Sequence, residues 1–375
     1  MMEFRDLKAQ YNVLKDKIDK AVIEVATEGN YIMGRQVIEL EKQLAEYVGV
    51  KHCITCANGT DALTLVLMAW GIGKGDAVFI PDFTFFATGE VVSFEGATPI
   101  FIDIDNDTFN INSTKLEEAI LKVKEERKLN ARAIIAVDLF GLPANYDEIE
   151  AIAKKYGLLL LEDSAQGFGG SIGDRRACSF GNAATTSFFP AKPLGCYGDG
   201  GAIFTNDDEI AEIIKSYRVH GKGSFKYDNV RIGMNSRLDT IQAAILIEKF
   251  KAFVDYELDE VNRVANTYTQ HLKGIVKTPL VPEGYYSSWA QYSIQLDSEE
   301  KRNEVMAYLK DKGIPTMVYY PKPMSMQTAF SDLGYEEGQL EVTYKICKTV
   351  LALPMHPYLS EKEIITICDA IKEVI

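Results

Sequence analysis

Short apolar runs alternate with helical patterns along the first two-thirds of the chain. The runs lie at 77–80 (AVFI), 99–104 (PIFIDI), 133–138 (AIIAVD), 158–163 (LLLLED), 184–188 (ATTSF) and 201–205 (GAIFT). Helical patterns fall between several of them, at 60–70, 114–127 and 146–156. Apolar strands separated by helices predict an α/β fold with a mostly parallel sheet covered on both faces. From 238 the pattern changes. A long helical stretch runs to a Gly stop at 274, followed by a strand at 290–296, a helix at 300–312 ended by Gly313, a strand at 314–319 and two C-terminal helices. The expectation is a large α/β domain over 1–250 and a smaller α+β domain over 251–375, divided inside the long helix. Parallel sheets bind ligands at the carboxyl ends of their strands, so chemistry is expected just after each apolar run.

Composition narrows the function classes. No run of 18 apolar residues occurs, and the N-terminus is charged from its third residue without the apolar centre of a secretory signal. Neither a membrane span nor export is expected, and the cytoplasm fits. The net charge of −14 argues against general nucleic-acid binding. One stretch opposes the acidic average: Lys215, Arg218, Lys222, Lys226, Arg231 and Arg237 face a single acid, Asp228. Such a run is either a solvated basic loop or an edge that receives an anion. Cys53 and Cys56 form a C-x-x-C with no second pair, which reads as a short strand with two buried thiols. His52, His220, His271 and His356 lack metal-ligand spacing, so no metal is expected.

Three segments carry candidate chemistry. Asn58-Gly59-Thr60-Asp61 opens a helix after a short strand, where unpaired N–H groups suit a phosphate. A plain Asn-Gly turn with an N-cap accounts for the same residues. Asp163 ends LLLLED, and a carboxylate after four leucines requires a partner. A pyridinium nitrogen is one such partner, with Gln166 placed to reach a ring hydroxyl; capping of the next turn is the other reading. In SFFPAKPLGCYGDGGAIFT, Ser187 ends a strand and Lys192 follows in a loop stiffened by Pro190 and Pro193. A Schiff-base lysine belongs in such a place, although a lysine in a surface turn has the same local sequence. GFGGSIG at 167–173 is no dinucleotide fingerprint, because Ile172 replaces the last glycine and the strand–Gly–helix context is missing. That sets aside an NAD-linked oxidoreductase.

With these residues in view, the chain resembles the DegT/DnrJ/StrS-like sugar aminotransferases of pyridoxal-phosphate (PLP) fold type I. The resemblance covers nearly the whole chain. It runs through FRDLKAQY, YIMGRQVIELEKQLAEYVG, NGTDAL, PDFTFFAT, LEDSAQGFG, SFFPAKPLGCYGDGGAIFTND, GMNSRLDTIQAAIL and LPMHPYL. It implies an aspartate-aminotransferase-like fold and a PLP cofactor that alternates with pyridoxamine phosphate. It also implies a homodimer with shared active sites and transfer of an amino group from glutamate to a nucleotide-linked keto-sugar. Position by position, Lys192 matches the Schiff-base lysine, Asp163 the partner of the ring nitrogen and Gln166 the contact to the phenolic oxygen. Phe85 matches the aromatic on the cofactor face, and Gly59, Thr60 and Ser187 match phosphate ligands. Asn235 matches a residue that reaches the neighbouring subunit's cofactor phosphate, and Arg237 a position facing substrate across the interface.

The segment KPLGCYGDGGA favours members that aminate carbon 3 of the sugar. Within them the expected acceptor is UDP-2-acetamido-2-deoxy-3-oxo-glucuronate, used in O-antigen synthesis, with Arg237 on its carboxylate. A neutral UDP- or dTDP-linked 3-keto or 4-keto sugar is the alternative. Relatives often have His-Tyr-Pro where this chain has Tyr319-Tyr320-Pro321. Tyr319 and Tyr320 are therefore expected to face substrate, and Tyr319 leaves the sugar open. A regulatory member without catalysis would be marked by loss of Lys192 or Asp163, and both are present.

Overall fold

The computed structural model describes residues 2–225 and 227–375; Lys226 of the basic run lies outside them. The large sheet has seven strands: β1 (His52–Cys56), β2 (Asp76–Pro81), β3 (Thr98–Ile102), β4 (Asn130–Val137), β5 (Leu159–Asp163), β6 (Ala183–Ser187) and β7 (Gly201–Thr205). Their spatial order is β1-β7-β6-β5-β4-β2-β3. The pairs β2/β3, β2/β4, β4/β5 and β5/β6 are parallel, whereas β7 runs antiparallel to both β6 and β1. The expected mostly parallel sheet is thus present. All six runs became strands buried on both faces, mostly by apolar side chains, although β5 also buries Glu162 and β6 buries Thr185 and Thr186. Along β2, Val78 and Ile80 join one buried cluster while Ala77 and Phe79 join another. Successive side chains point to opposite faces, so both faces need a helical cover. The helices Gly59–Ala69 and Ala87–Phe94 supply one side. Ser113–Glu126 and Tyr146–Tyr156 supply the other. β1 also matches its reading, with Cys53 and Cys56 both buried.

The C-terminal third departs from its reading in two places, while the long helical stretch is present with a π turn inside it. The long helical stretch is Thr240–Ala252, a π turn at Phe253–Glu257, and Leu258–Leu272. The segment 314–319 is not a strand; only Met317 makes an isolated bridge, to Ala352. Pro315 has no N–H to give a ladder, which explains the failure. The strand that was missed is β9 (Val350–Leu353), which follows the helix Glu341–Thr349 directly. It pairs antiparallel with β8 (Tyr292–Gln295), Tyr292 facing Leu353 and Ile294 facing Leu351. No breaker separates helix from strand, so the apolar run VLAL reads as a continuation of helix until Pro354. The helices Leu258–Leu272 and Glu361–Val374 pack with this pair into a separate buried cluster.

Among the described residues, no helix is long and apolar enough to cross a membrane, and no group of three or more His, Cys, Asp or Glu could hold a metal ion. Ile294 is wholly buried in the C-terminal cluster. Ile294→Ala is expected to cost about 2–5 kcal/mol in chemical denaturation, the usual range for a buried large-to-small change. A cost below about 1 kcal/mol would show that this cluster does not set the stability of its unit.

Candidate active site

The ends of β5 and β6 and the opening of one helix converge on a single place. After Ser187 the chain loops tightly before returning as β7. Phe188 N donates to Gly200 O at 2.8 Å, Cys196 N to Phe188 O at 2.7 Å and Lys192 N to Phe189 O at 2.9 Å. Gly195 is required here, since a Cβ would lie 2.4 Å from Pro190 O. Lys192 sits on this loop, partly accessible along its length. Burial pushes its ammonium down to about 8; Asp163 opposes that shift and Arg5 adds to it. Arg5 Nη2 donates to the Lys192 carbonyl at 2.9 Å.

Asp163 ends β5 and is 4% exposed. Its Oδ2 accepts from Thr88 Oγ1 at 2.8 Å, and its Oδ1 from Ala165 N at 3.2 Å. The second contact is the turn cap of the plainer sequence reading. The first comes from a threonine that sequence reasoning passed over, although PDFTFFAT was singled out as a motif. Burial raises the Asp163 pKa against both hydrogen bonds and the charge of Lys192. Gln166, also buried, accepts from Phe140 N at 2.9 Å and donates to Tyr320 Oη at 3.1 Å. Its amide is therefore fixed in direction. Phe85 is 55% exposed beside Tyr320, with ring centroids 6.4 Å apart.

The helix Gly59–Ala69 starts against the end of β6. Asn58 caps it, Oδ1 accepting from Asp61 N at 2.7 Å. Gly59 and Thr60 occupy the first turn, where helical N–H groups point outward without intrahelical partners. A Cβ on Gly59 would lie 2.8 Å from Ser187 Cβ, so the turn and the strand end touch. The Ser187 hydroxyl thereby stands beside the helix N-terminus.

No hydrogen bond or ion pair joins the Asn235 or Arg237 side chain to this cluster among the described residues, although Ser236 between them accepts from Ala57 N at 3.0 Å. Asn235 is exposed and bridges only to Val219. Arg237 is half-buried, and its Nε has no hydrogen-bond partner among the described residues. The basic run is not one solvated edge. Arg218 is 5% exposed and paired with Glu41 at 2.6 Å and with the Thr55 carbonyl at 2.6 Å. Lys215 is paired with Glu212. Tyr319 lies edge-on to Phe4 at 6.2 Å and to Tyr320 at 5.8 Å. The arginine at position 5 was the other residue overlooked. It lies inside FRDLKAQY, but nothing in its local spacing points to Lys192.

The donor set can be tested against the implied cofactor. Asp163 is a buried carboxylate with no cation in ion-pair reach among the described residues, which suits a pyridinium nitrogen. Helix amides at 59–60 with the Thr60 and Ser187 hydroxyls suit a phosphate. Gln166 suits a phenolic oxygen, the exposed Phe85 a ring face and the Lys192 amine an aldehyde. Every functional group of pyridoxal phosphate has a matching partner here.

Gly59→Ala is expected to weaken pyridoxal-phosphate binding about tenfold or more, measured by absorbance titration, because the new Cβ meets Ser187. Adding Ser187→Gly to it should return affinity to that of Ser187→Gly alone; simple additivity of the two losses would contradict the contact. Lys192 captures an aldehyde only as a neutral amine. The rate of Schiff-base formation by the cofactor-free protein should therefore rise through about pH 8 and fall about tenfold per pH unit below it. A flat profile across that range would contradict the buried placement of the amine.

Comparison with known proteins agrees with this geometry. The DegT/DnrJ/EryC1/StrS aminotransferase family matches residues 12–372. The UDP-2-acetamido-2-deoxy-3-oxo-D-glucuronate aminotransferase of Pseudomonas aeruginosa is 47% identical, over 99% of each chain. A pleiotropic regulatory protein of Geobacillus stearothermophilus is 44% identical, over 96% of this chain and 94% of its own. Among solved structures, a DegT/DnrJ/EryC1/StrS aminotransferase from Brucella abortus superposes with a TM-score of 0.96 at 49% identity, covering 100% of this chain and 99% of its own. The Bacillus subtilis protein NtdA with bound pyridoxamine phosphate superposes with a TM-score of 0.89 at 31% identity, covering 97% and 82%. The chain belongs to the DegT/DnrJ/EryC1/StrS family and is a pyridoxal-phosphate-dependent sugar aminotransferase.

Proposed function

We propose that this enzyme transfers the amino group of glutamate to carbon 3 of UDP-2-acetamido-2-deoxy-3-oxo-glucuronate, in the cytoplasm, for surface-polysaccharide or O-antigen assembly. The observation that carries the chemistry is the desolvated Lys192 amine within electrostatic reach of the buried carboxylate Asp163, which has no cation in ion-pair reach among the described residues. The choice of sugar is supported by the full-length likeness to the Pseudomonas enzyme.

Bound pyridoxal phosphate supplies an electron sink that makes the proton on the amino acid's α-carbon acidic. The residues of this chain do the rest. Asp163 keeps a proton on the ring nitrogen by its negative charge. Lys192 would hold the cofactor through its amine between turnovers, and that amine would be free to carry protons once the amino acid is bound. The free Lys192 amine would then take the proton off glutamate Cα as a general base and deliver it to the cofactor's C4′ as an acid. A lowered pKa keeps that amine available near neutral pH. Gly59, Thr60 and Ser187 hold the phosphate while no covalent link to Lys192 exists. Gln166, oriented by Phe140 and Tyr320, meets the phenolic oxygen, and Phe85 covers the ring face. Water then replaces the nitrogen on the amino acid's carbon and 2-oxoglutarate leaves; the keto-sugar would enter, its carbonyl oxygen departing as water, and Lys192 would run the same proton transfer in reverse.

In this reading two copies form a homodimer. Asn235 reaches the partner's cofactor phosphate, and Arg237 offers its guanidinium to the sugar carboxylate. Tyr319 and Tyr320 line the sugar side. The division into a cofactor-binding unit over 1–250 and a smaller unit over 251–375 places the π turn Phe253–Glu257 at their junction. A second reading, a neutral UDP- or dTDP-linked keto-sugar, draws on Tyr319 in the place where relatives often carry histidine.

Lys192→Ala should lose on the order of a thousandfold or more in kcat. A variant that transaminates normally would overturn the mechanism. Arg237→Met should raise KM for the uronate sugar by about 10- to 100-fold, with kcat nearly unchanged. An equal effect on a neutral 3-keto-sugar would remove the carboxylate from the argument.

A further inference from the structure

The segment before the first helix runs between the lysine loop and the C-terminal unit. Phe4 O accepts from Met355 N at 3.0 Å, and the Phe4 ring meets Tyr319. Two residues on, Asp6 caps the helix Leu7–Glu28 by accepting from Ala9 N at 2.8 Å. Arg5 is held between these anchors and donates to the Lys192 carbonyl, 187 residues away in sequence. A neutral donor would satisfy that carbonyl equally well. The guanidinium also brings a charge, and no carboxylate comes within ion-pair reach of it among the described residues.

We propose that Arg5 is a positioning residue of the cofactor lysine, anchoring its main chain and placing a fixed positive charge beside its side chain. The inference rests on the reading of Lys192 as the Schiff-base lysine. The charge works against protonation of the Lys192 nitrogen, whether as free amine or as Schiff base. Asp163, from the end of β5, works the other way. Around Arg5 stand Glu257 of the π turn, Tyr319, His356 and the buried Lys249 of the helix Thr240–Ala252, whose ammonium burial pushes down to about 8, with Glu257 opposing and Arg5 adding to that shift. Burial lowers Arg5 only to about 10, so it stays charged in the working range. His356 is pushed down to about 4, first by burial and then by Arg5, and is neutral there. Beyond burial, the charge balance at Lys192 is therefore set by one carboxylate at the end of β5 and one guanidinium near the N-terminus.

Three variants separate the anchor from the charge. Arg5→Gln keeps a donor without charge, Arg5→Met removes both, and Arg5→Lys keeps the charge. The measurement is the pH midpoint of the visible band of the cofactor-loaded protein, with no substrate present. Wild type and Arg5→Lys should share a low midpoint, while Arg5→Gln and Arg5→Met move it up by about half a pH unit or more. Arg5→Gln alone carries the test if Arg5→Met does not fold. A midpoint in Arg5→Gln equal to wild type would overturn the proposal. A wild-type protein without a visible band would overturn the reading of Lys192 itself, a separate failure that the same spectra distinguish.

Discussion

A carboxylate buried at the end of a parallel strand must find a positive partner or give up its charge. Asp163 is in that position. Thr88 and the Ala165 amide each give it a hydrogen bond, but among the described residues no side-chain cation lies in ion-pair reach, and its pKa is raised by burial. Hydrogen bonds soften the cost of a buried charge without neutralising it. The rest of the site follows from this imbalance. In the proposed reading a cationic ring nitrogen would complete the charge, with Gln166, Phe85 and the 59–60 turn facing the ring's other groups and Lys192 offered from the loop after β6.

The sheet makes this arrangement possible. Parallel neighbours β5 and β6 end side by side, so Asp163 and Ser187 are delivered to one edge by register alone. The antiparallel strand β7 forces the connecting loop to turn back at once, which carries Lys192 over that edge. Gly59 lets the helix N-terminus touch the strand end where any side chain would hold it off. A buried ion pair ties the arm that carries Asn235 and Arg237 to the same edge. Arg218 grips Glu41 and Thr55, its carbonyl accepts from Ser236 N, and Ser236 Oγ accepts from Ala57 N next to the phosphate turn. Removing one partner of such a pair leaves an uncompensated charge, so this contact serves placement more than net stability.

Much of the large sheet was legible because its strands are mostly apolar on both faces and punctuated by helices. The strand at 350–353 was not, since it follows a helix without Gly or Pro between them and its partner lies 58 residues earlier at 292–295. The false strand at 314–319 shows the converse, a β-like composition defeated by Pro315. In the site, Lys192, Asp163 and Gly59 could be suspected from their places after apolar runs. Thr88 and Arg5 could not, because their importance comes from contacts across 75 and 187 residues. The basic run misled for a similar reason. Charge counted along the sequence cannot show that Arg218 turns inward to Glu41.

The most direct test of the account follows the visible cofactor band through both half-reactions. Glutamate is added to the loaded protein first, then UDP-2-acetamido-2-deoxy-3-oxo-glucuronate. The account predicts that the band disappears with glutamate and returns with the sugar, which gains an amino group at carbon 3. A band that glutamate leaves untouched would contradict the central claim, and a band lost but never restored would reject this acceptor.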